Sequence, residues 1–158
     1  REEFGAIRIG TTIAPDLPPL HVDVDQMKQV LLNIAINACE AMPAGGTLDF
    51  TAVKGERDEI VFTIEDSGGG IPKENMSKLF TPFFTTKQIG KGTGLGLPIA
   101  YGIVKMHHGS ITVRSDIGKG TAFRIAIPSD VRDLHSGPMT PLEFASTLDA
   151  TASSSLQQ

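Results

Sequence analysis

The sequence predicts a single α+β domain, with a layer of helices packed on a β-sheet. Three observations carry that expectation. Two segments, residues 23–42 and 95–107, repeat apolar side chains at helical spacing. Two pairs of alternating segments, 47–53 with 60–64 and 111–114 with 122–127, are each joined by a glycine-containing turn. The 158 residues, 40% of them hydrophobic, suffice for one buried core.

Residues 6–13 alternate apolar and polar side chains and read as the first strand. Pro15, Pro18 and Pro19 break regular structure after it. Asp23 is the expected N-cap of a helix running to about Met42, with Gln26 as its capping-box partner. Met27, Val30, Leu31, Ile34, Ala35 and Ala38 form the buried stripe of that helix. Pro43, Gly45 and Gly46 end it. The strands at 47–53 and 60–64 enclose a hairpin turn at 55–58. A short helix is expected over 73–80. In the helix at 95–107, Leu97, Ala100, Ile103, Val104 and His107 have core spacing, and Gly109 is the expected stop. His107 and His108 are adjacent and diverge at a helix end, so they read as capping or packing residues rather than a metal pair. Residues 118–120 join the last two strands as a hairpin. The pattern then fails, which makes 1–128 the folded domain. Residues 129–158 read as a flexible tail with a short helix from Thr140 to about Leu148.

Composition narrows the function classes. A net charge of −4 argues against a general nucleic-acid or anionic-membrane surface. Cys39 is the single cysteine, so neither an intrachain disulfide nor a cysteine-cluster metal site is available. No apolar run is long enough to span a bilayer and no signal peptide is visible, so the expected location is cytoplasmic, without direct membrane contact. The chain starts at Arg1 rather than at a methionine, and it is read as cut from a longer protein whose membrane attachment lies outside this sequence.

Chemistry concentrates in three places. The densest is 87–99, where Gly90, Gly92, Gly94 and Gly96 alternate with other residues and run into a helix start. Glycines let backbone N–H groups face a ligand, and a helix start favours an anion. Lys87 and Lys91 add positive charge. A polyphosphate site and a mobile surface loop both fit this stretch. A Walker loop is excluded because Gly92, not Ser or Thr, follows Lys91. A dinucleotide fingerprint is excluded because Leu97 stands where its third small residue belongs. The second place is the pair Asn33 and Asn37, four apart and on one helix face within an apolar run. They read either as exposed polar residues or as two amide oxygens aimed at one ligand or ion, and the apolar context favours the latter. The third is residues 65–72, Glu-Asp-Ser-Gly-Gly-Gly-Ile-Pro, at a strand end. Its plain reading is turn chemistry. Its sharper reading has Asp66 accept from an exocyclic amine such as adenine's, with Gly68 and Gly70 letting backbone approach the base.

Taken in order, a helix with paired asparagines, Asp-x-Gly-x-Gly, Phe-x-Pro-Phe and Gly-x-Gly-x-Gly resemble the catalytic ATP-binding domain of sensor histidine kinases. That domain belongs to the superfamily shared with DNA gyrase, the ninety-kilodalton heat-shock chaperones and MutL repair proteins. The resemblance covers 7–128. Asn-Ala-Cys-Glu-Ala-Met and Phe-Phe-Thr-Thr-Lys look most like the nitrogen-regulator and dicarboxylate-sensor branch. It implies a two-layer α/β sandwich, with a mixed, mostly antiparallel sheet covered on one face by helices. It also implies ATP and Mg²⁺ as ligands. Asn37 matches the Mg²⁺-coordinating asparagine and Asn33 the residue beside the phosphates. Asp66, Gly68 and Gly70 match the adenine-reading box, and Thr121 the floor of its pocket. Phe80, Phe83 and Phe84 match the aromatic box. Lys91, Gly92, Thr93, Gly94, Leu95, Gly96 and Leu97 make up the glycine box and its flanks, and Lys87 has the lid position of a cation near the γ-phosphate. Glu40 stands where many sensor kinases have Lys or Arg reaching a phosphate. His108 stands where many have glycine, a change expected to be neutral.

The function so implied is donation of the ATP γ-phosphate to a histidine on a separate dimerisation domain, with Asn33, Asn37 and Lys87 as the catalytic set. The response regulator would be reached through that domain. No phosphoacceptor-histidine motif occurs in the chain, so the acceptor is expected N-terminal to Arg1. The fragment itself is expected to be monomeric. An ATPase or serine kinase of the same superfamily is the alternative, but such relatives have a glutamate base where Asn33 stands. A non-catalytic nucleotide-sensing module is the other.

Overall fold

In the computed structural model, which describes residues 6–85 and 94–129, one mixed sheet carries two long helices on one face. Strand β1 (Ile7–Ile13) leads through helix α1 (Val24–Glu40) into β2 (Gly46–Lys54), which pairs with it in parallel. β3 (Glu59–Asp66) returns antiparallel to β2. A single-turn α2 (Lys73–Met76) and helix α3 (Gly96–Met106) precede the hairpin of β4 (Ser110–Asp116) and β5 (Gly120–Pro128). β5 inserts between β3 and β4, giving the order β1-β2-β3-β5-β4. The expected two-layer α+β sandwich and its mostly antiparallel sheet are therefore present.

Period-two alternation decides which sheet face is covered. Leu48, Ile64, Phe123 and Ile125 fall on one face and are almost fully buried. Against them pack Val30, Ile34 and Ala38 of α1 and Ala100 and Val104 of α3. Leu31, Ala35 and Leu97 are half-buried at the edges of the same core. Residues 129–158 were expected to form a tail. All but Ser129 lie outside the described residues, as do Lys87, Lys91, Gly92 and Thr93. Among the described residues no helix is long and apolar enough to cross a membrane.

Three details depart from the sequence expectation, each for a local reason. Helix α1 stops at Glu40 rather than Met42, because the residue before Pro43 is sterically kept out of the helical region. The helix expected over 73–80 spans only Lys73–Met76, none of whose residues is buried; beyond it the chain goes on in tighter i→i−3 turns, Lys78 N–H to the Asn75 carbonyl and Thr81 N–H to the Lys78 carbonyl. The capping box of α1 is half made. Asp23 Oδ1 accepts from Gln26 N–H at 3.0 Å, but the Asp23 N–H donates to His107 Nε2 at 3.1 Å rather than to the glutamine. His107 is buried at the end of α3, with Nδ1 at 2.8 Å from the Ile103 carbonyl. Since Nε2 must offer a lone pair to Asp23, the ring proton sits on Nδ1 and donates to Ile103.

The end of α3 also differs. The left-handed residue there is His108, at φ 56°, rather than Gly109. A β-carbon in that region costs about 1–2 kcal/mol, part of which glycine's greater unfolded-state freedom offsets. Glycine at this position is therefore not equivalent to histidine. His108→Gly should stabilise the chain by about 0.5–1 kcal/mol, read as a raised denaturation midpoint with an unchanged slope. An unchanged or lowered midpoint would show that the side chain contributes contacts that outweigh the strain.

Candidate nucleotide site

The base end of the site is a single row of residues across the sheet. In the observed register Leu48 pairs with Asp66, Asp66 with Thr121, and Thr121 with Ser115. All four side chains therefore rise on the helix-bearing face. Asp66 and Thr121 are 4% and 5% exposed, although both are polar. Asp66 Oδ1 accepts from the Gly68 N–H at 2.9 Å. The loop that follows is strapped to the β4–β5 hairpin. Ile71 N–H donates to Ser115 Oγ at 2.8 Å, and Gly118 N–H to the Gly69 carbonyl at 2.8 Å. Gly70, at φ 78°, lies so close to the Asp116 carbonyl that a β-carbon would collide with it. Its glycine is thus required by the chain's own packing, a constraint separate from the expected approach to a ligand base.

The other end lies between α1 and α3. Asn33 Nδ2 donates to the Gly96 carbonyl at 3.0 Å, and its Oδ1 accepts from Gln29 Nε2 at 2.6 Å. Asn37, one turn on, is half-buried, and its side-chain amide has no partner among the described residues. The start of α3 carries no side-chain cap and no acidic residue in its first turn. The positive dipole end of α3 therefore lies beside Asn33 of α1, which bonds the Gly96 carbonyl. Leu95, Gly96 and Leu97 are half-buried there.

The aromatic stretch splits three ways. Phe80 is half-buried against Tyr101, with ring centroids 5.0 Å apart. Phe84 is half-buried, with Lys78 Nζ 5.9 Å from its ring centroid. Phe83 is 75% exposed at φ 64°, so it is not a core residue. Its backbone closes the base of the loop, with Phe83 N–H donating to the Gly94 carbonyl at 2.9 Å. Gly94 has φ 68° and lies against Phe83 backbone where a β-carbon would not fit. The structure thus brings Asn33 of α1 against the start of α3 at Gly96, with Asn37 one turn on and Gly94, Leu95 and Leu97 beside Gly96, and it places Asp66 and Thr121 in the sheet row with Gly68 and Gly70 in the loop that follows β3. Glu40 is exposed at the end of α1.

Comparison with known proteins gives this geometry a family. The domain described as "Histidine kinase-, DNA gyrase B-, and HSP90-like ATPase" matches residues 22–131. The chain belongs to that ATPase family. Within it, sensor kinase CckA of Brucella abortus is 46% identical over 116 residues, covering 65% of this chain and 12% of CckA. The nucleotide-free catalytic domain of histidine kinase ThkA superposes with a TM-score of 0.68 at 33% identity, covering 78% of this chain and 80% of that one. Full-length ShkA in complex with AMPPNP superposes at 0.69 with 29% identity, covering 77% and 25%. The chain spans less than a quarter of the length of the curated relatives it matches. Those relatives are named as a sensor kinase, a sporulation kinase and a sensor histidine kinase, and the matched part is the ATP-binding catalytic domain of a histidine kinase.

Two residues of this ATPase domain escaped the sequence reading. His107 was read as capping or packing, but not as the partner that joins the two helices. Ser115 was not singled out at all. Its signal was present: Ile111, Val113 and Ser115 share one strand face, so the serine is a polar residue at a core-facing position.

Burial pushes the Asp66 carboxyl above its ordinary value of 3.8, and the charge of Glu65 adds to the rise. The backbone N–H groups of Gly68 and Thr121 pull the other way without cancelling it. Between 3.8 and the raised value the folded chain holds more protons than the unfolded one, so stability falls as pH rises through that window. Asp66→Asn carries no such charge. Without nucleotide, its melting temperature relative to the parent chain should climb as pH is raised above 3.8 through the titration of the buried Asp66 carboxyl, and level off once that carboxyl is ionised. A gap that stays constant with pH would contradict the buried-charge account.

Proposed function

We propose that this domain holds Mg²⁺-ATP and presents its γ-phosphate to a histidine on a separate helical dimerisation domain of the parent protein. The observation that carries the reading is the closure of α1's asparagine face on the uncapped start of α3, through the Asn33–Gly96 bond. An uncapped helix start beside amide groups suits a polyphosphate. Asp66, opposite Thr121, suits the amine of an adenine.

In this reading Asn37 is the protein's Mg²⁺ ligand. A hard cation prefers oxygen donors and keeps several waters, so one amide oxygen that has no partner among the described residues fits. Bound there, Mg²⁺ would supply neutralisation of phosphate charge. Asn33 fixes the position of the α3 start beside the phosphates. Lys87 and Lys91, with Gly92 and Thr93, are assigned to the phosphate end from the sequence resemblance. The transfer joins a histidine nitrogen to the γ-phosphorus and breaks its bond to the β–γ bridging oxygen, with ADP leaving. The domain's share is positioning and charge neutralisation.

The hydrolytic alternative needs a base to orient water. Asn33 is an amide whose two polar atoms are already bonded to Gly96 and Gln29, and an amide does not take up a proton at neutral pH. The response regulator, in this reading, meets the phosphohistidine domain rather than this one.

The test uses γ-labelled ATP with the chain, with the parent's helical domain, and with both together. The account predicts acid-labile, base-stable label on the helical domain only when both are present. Asn37→Ala should slow that labelling by about a hundred-fold, the scale of losing one placed electrostatic group. Rapid phosphate release by the chain alone would favour an ATPase, and label on the chain itself would overturn the donor reading.

A further inference from the structure

Ser115 is a junction of three hydrogen bonds. Its Oγ accepts from Ile71 N–H at 2.8 Å, lies 2.9 Å from the Gly120 carbonyl, and lies 2.8 Å from Thr121 Oγ1. A serine hydroxyl has one proton, and a carbonyl can only accept. When that proton goes to Gly120, the contact with Thr121 is completed by the threonine's own proton. This arrangement places both hydroxyl protons in bonds. The converse leaves the proton of Thr121, a residue 5% exposed, without a partner among the described residues, and a buried unmade donor is costly.

The consequence falls on the side of Thr121 away from Ser115. With its proton committed, Thr121 Oγ1 offers only lone pairs, and the Asp66 carboxylate opposite it also only accepts. We propose that Ser115 is a specificity-determining positioning residue: it fixes the direction of the Thr121 hydroxyl and holds the loop at Ile71, so that the pocket accepts an amino purine and rejects an oxo purine. A 6-amino group, or a water bonded to it, meets two acceptors. The 6-oxo group of guanine meets the same two and gains no bond from either. This inference rests on the nucleotide reading above and concerns its base end only.

The experiment is calorimetric titration of the chain, in Mg²⁺, with ATP and with GTP. The parent should prefer ATP. Ser115→Ala frees the Thr121 proton to point at a ligand oxygen, so the ATP:GTP preference should narrow by about five-fold, the size of one neutral hydrogen bond. Ser115→Thr keeps a hydroxyl and should retain the parent preference, which a merely structural role for the position would not require. Should Ser115→Ala fail to fold, Thr121→Val removes the same oriented hydroxyl at similar size and should narrow the preference likewise. Unchanged preference in whichever of these two variants folds overturns the proposal. A parent chain that binds neither nucleotide overturns the nucleotide reading with it, whereas a parent that prefers ATP with an unaffected Ser115→Ala overturns this inference alone.

Discussion

Everything at the site depends on how α1 is held against α3. The two helices run antiparallel and are pinned at two points, the start of α1 and its middle, by bonds between residues far apart in sequence. Asp23 N–H meets His107 Nε2 at the first, and Asn33 Nδ2 meets the Gly96 carbonyl at the second. Alongside the pins lie Val30, Ile34, Ala100 and Val104, all fully buried. Burial of each larger aliphatic side chain contributes roughly 1.5–3 kcal/mol, against about 1 kcal/mol net for a hydrogen bond. Apolar packing therefore supplies the stability of the helix pair, and the two polar bonds fix its register. A shift of one turn would bury the same kind of surface but would carry the asparagine face away from the start of α3.

The sheet sets the other half of the geometry. A row running from Leu48 through Asp66 and Thr121 to Ser115 places polar groups on a face that is otherwise core. That placement weakens the unliganded fold, because burial opposes ionisation of Asp66. The loop after Asp66 has no core of its own. Its bonds from Ile71 to Ser115 and from Gly118 to Gly69 tie it to the β4–β5 hairpin. The position of the loop is thus inherited from a hairpin more than forty residues downstream in sequence.

Much of this was legible in the chain. Apolar periodicity located α1 and α3, and alternation located all five strands within a few residues. Asn33 and Asn37 stood out as polar residues on one face of an apolar helix, and Asp66 as a carboxylate at a strand end. What escaped depended on tertiary neighbours. Gln26 is placed to complete the capping box, but His107, 84 residues from Asp23, takes that N–H instead. Ser115 acquires its part only because β5 pairs Thr121 beside it. The stretch after Lys73 was read as one short helix, but only its first turn is helical, and i→i−3 turns carry the chain on to Phe80, which packs on Tyr101. Gly109 looked like the end of α3, while the chain turns one residue earlier, at His108. The ladder order β3-β5-β4 likewise has no local signature; hairpin signals give β4–β5 but not which strand lies beside β3.

The central claim is that the helix-pair clasp serves the phosphate end of the nucleotide and not its base. The most direct measurement compares binding of Mg²⁺-ATP and of adenosine by the parent chain and by Asn33→Ala. Losing the Gly96 tether should weaken Mg²⁺-ATP by about ten-fold or more, in line with a bond worth roughly 1–2 kcal/mol. Adenosine, read at the sheet row, should bind both chains equally. An Asn33→Ala chain that binds Mg²⁺-ATP as well as the parent, or that loses adenosine to the same degree as ATP, would contradict the account.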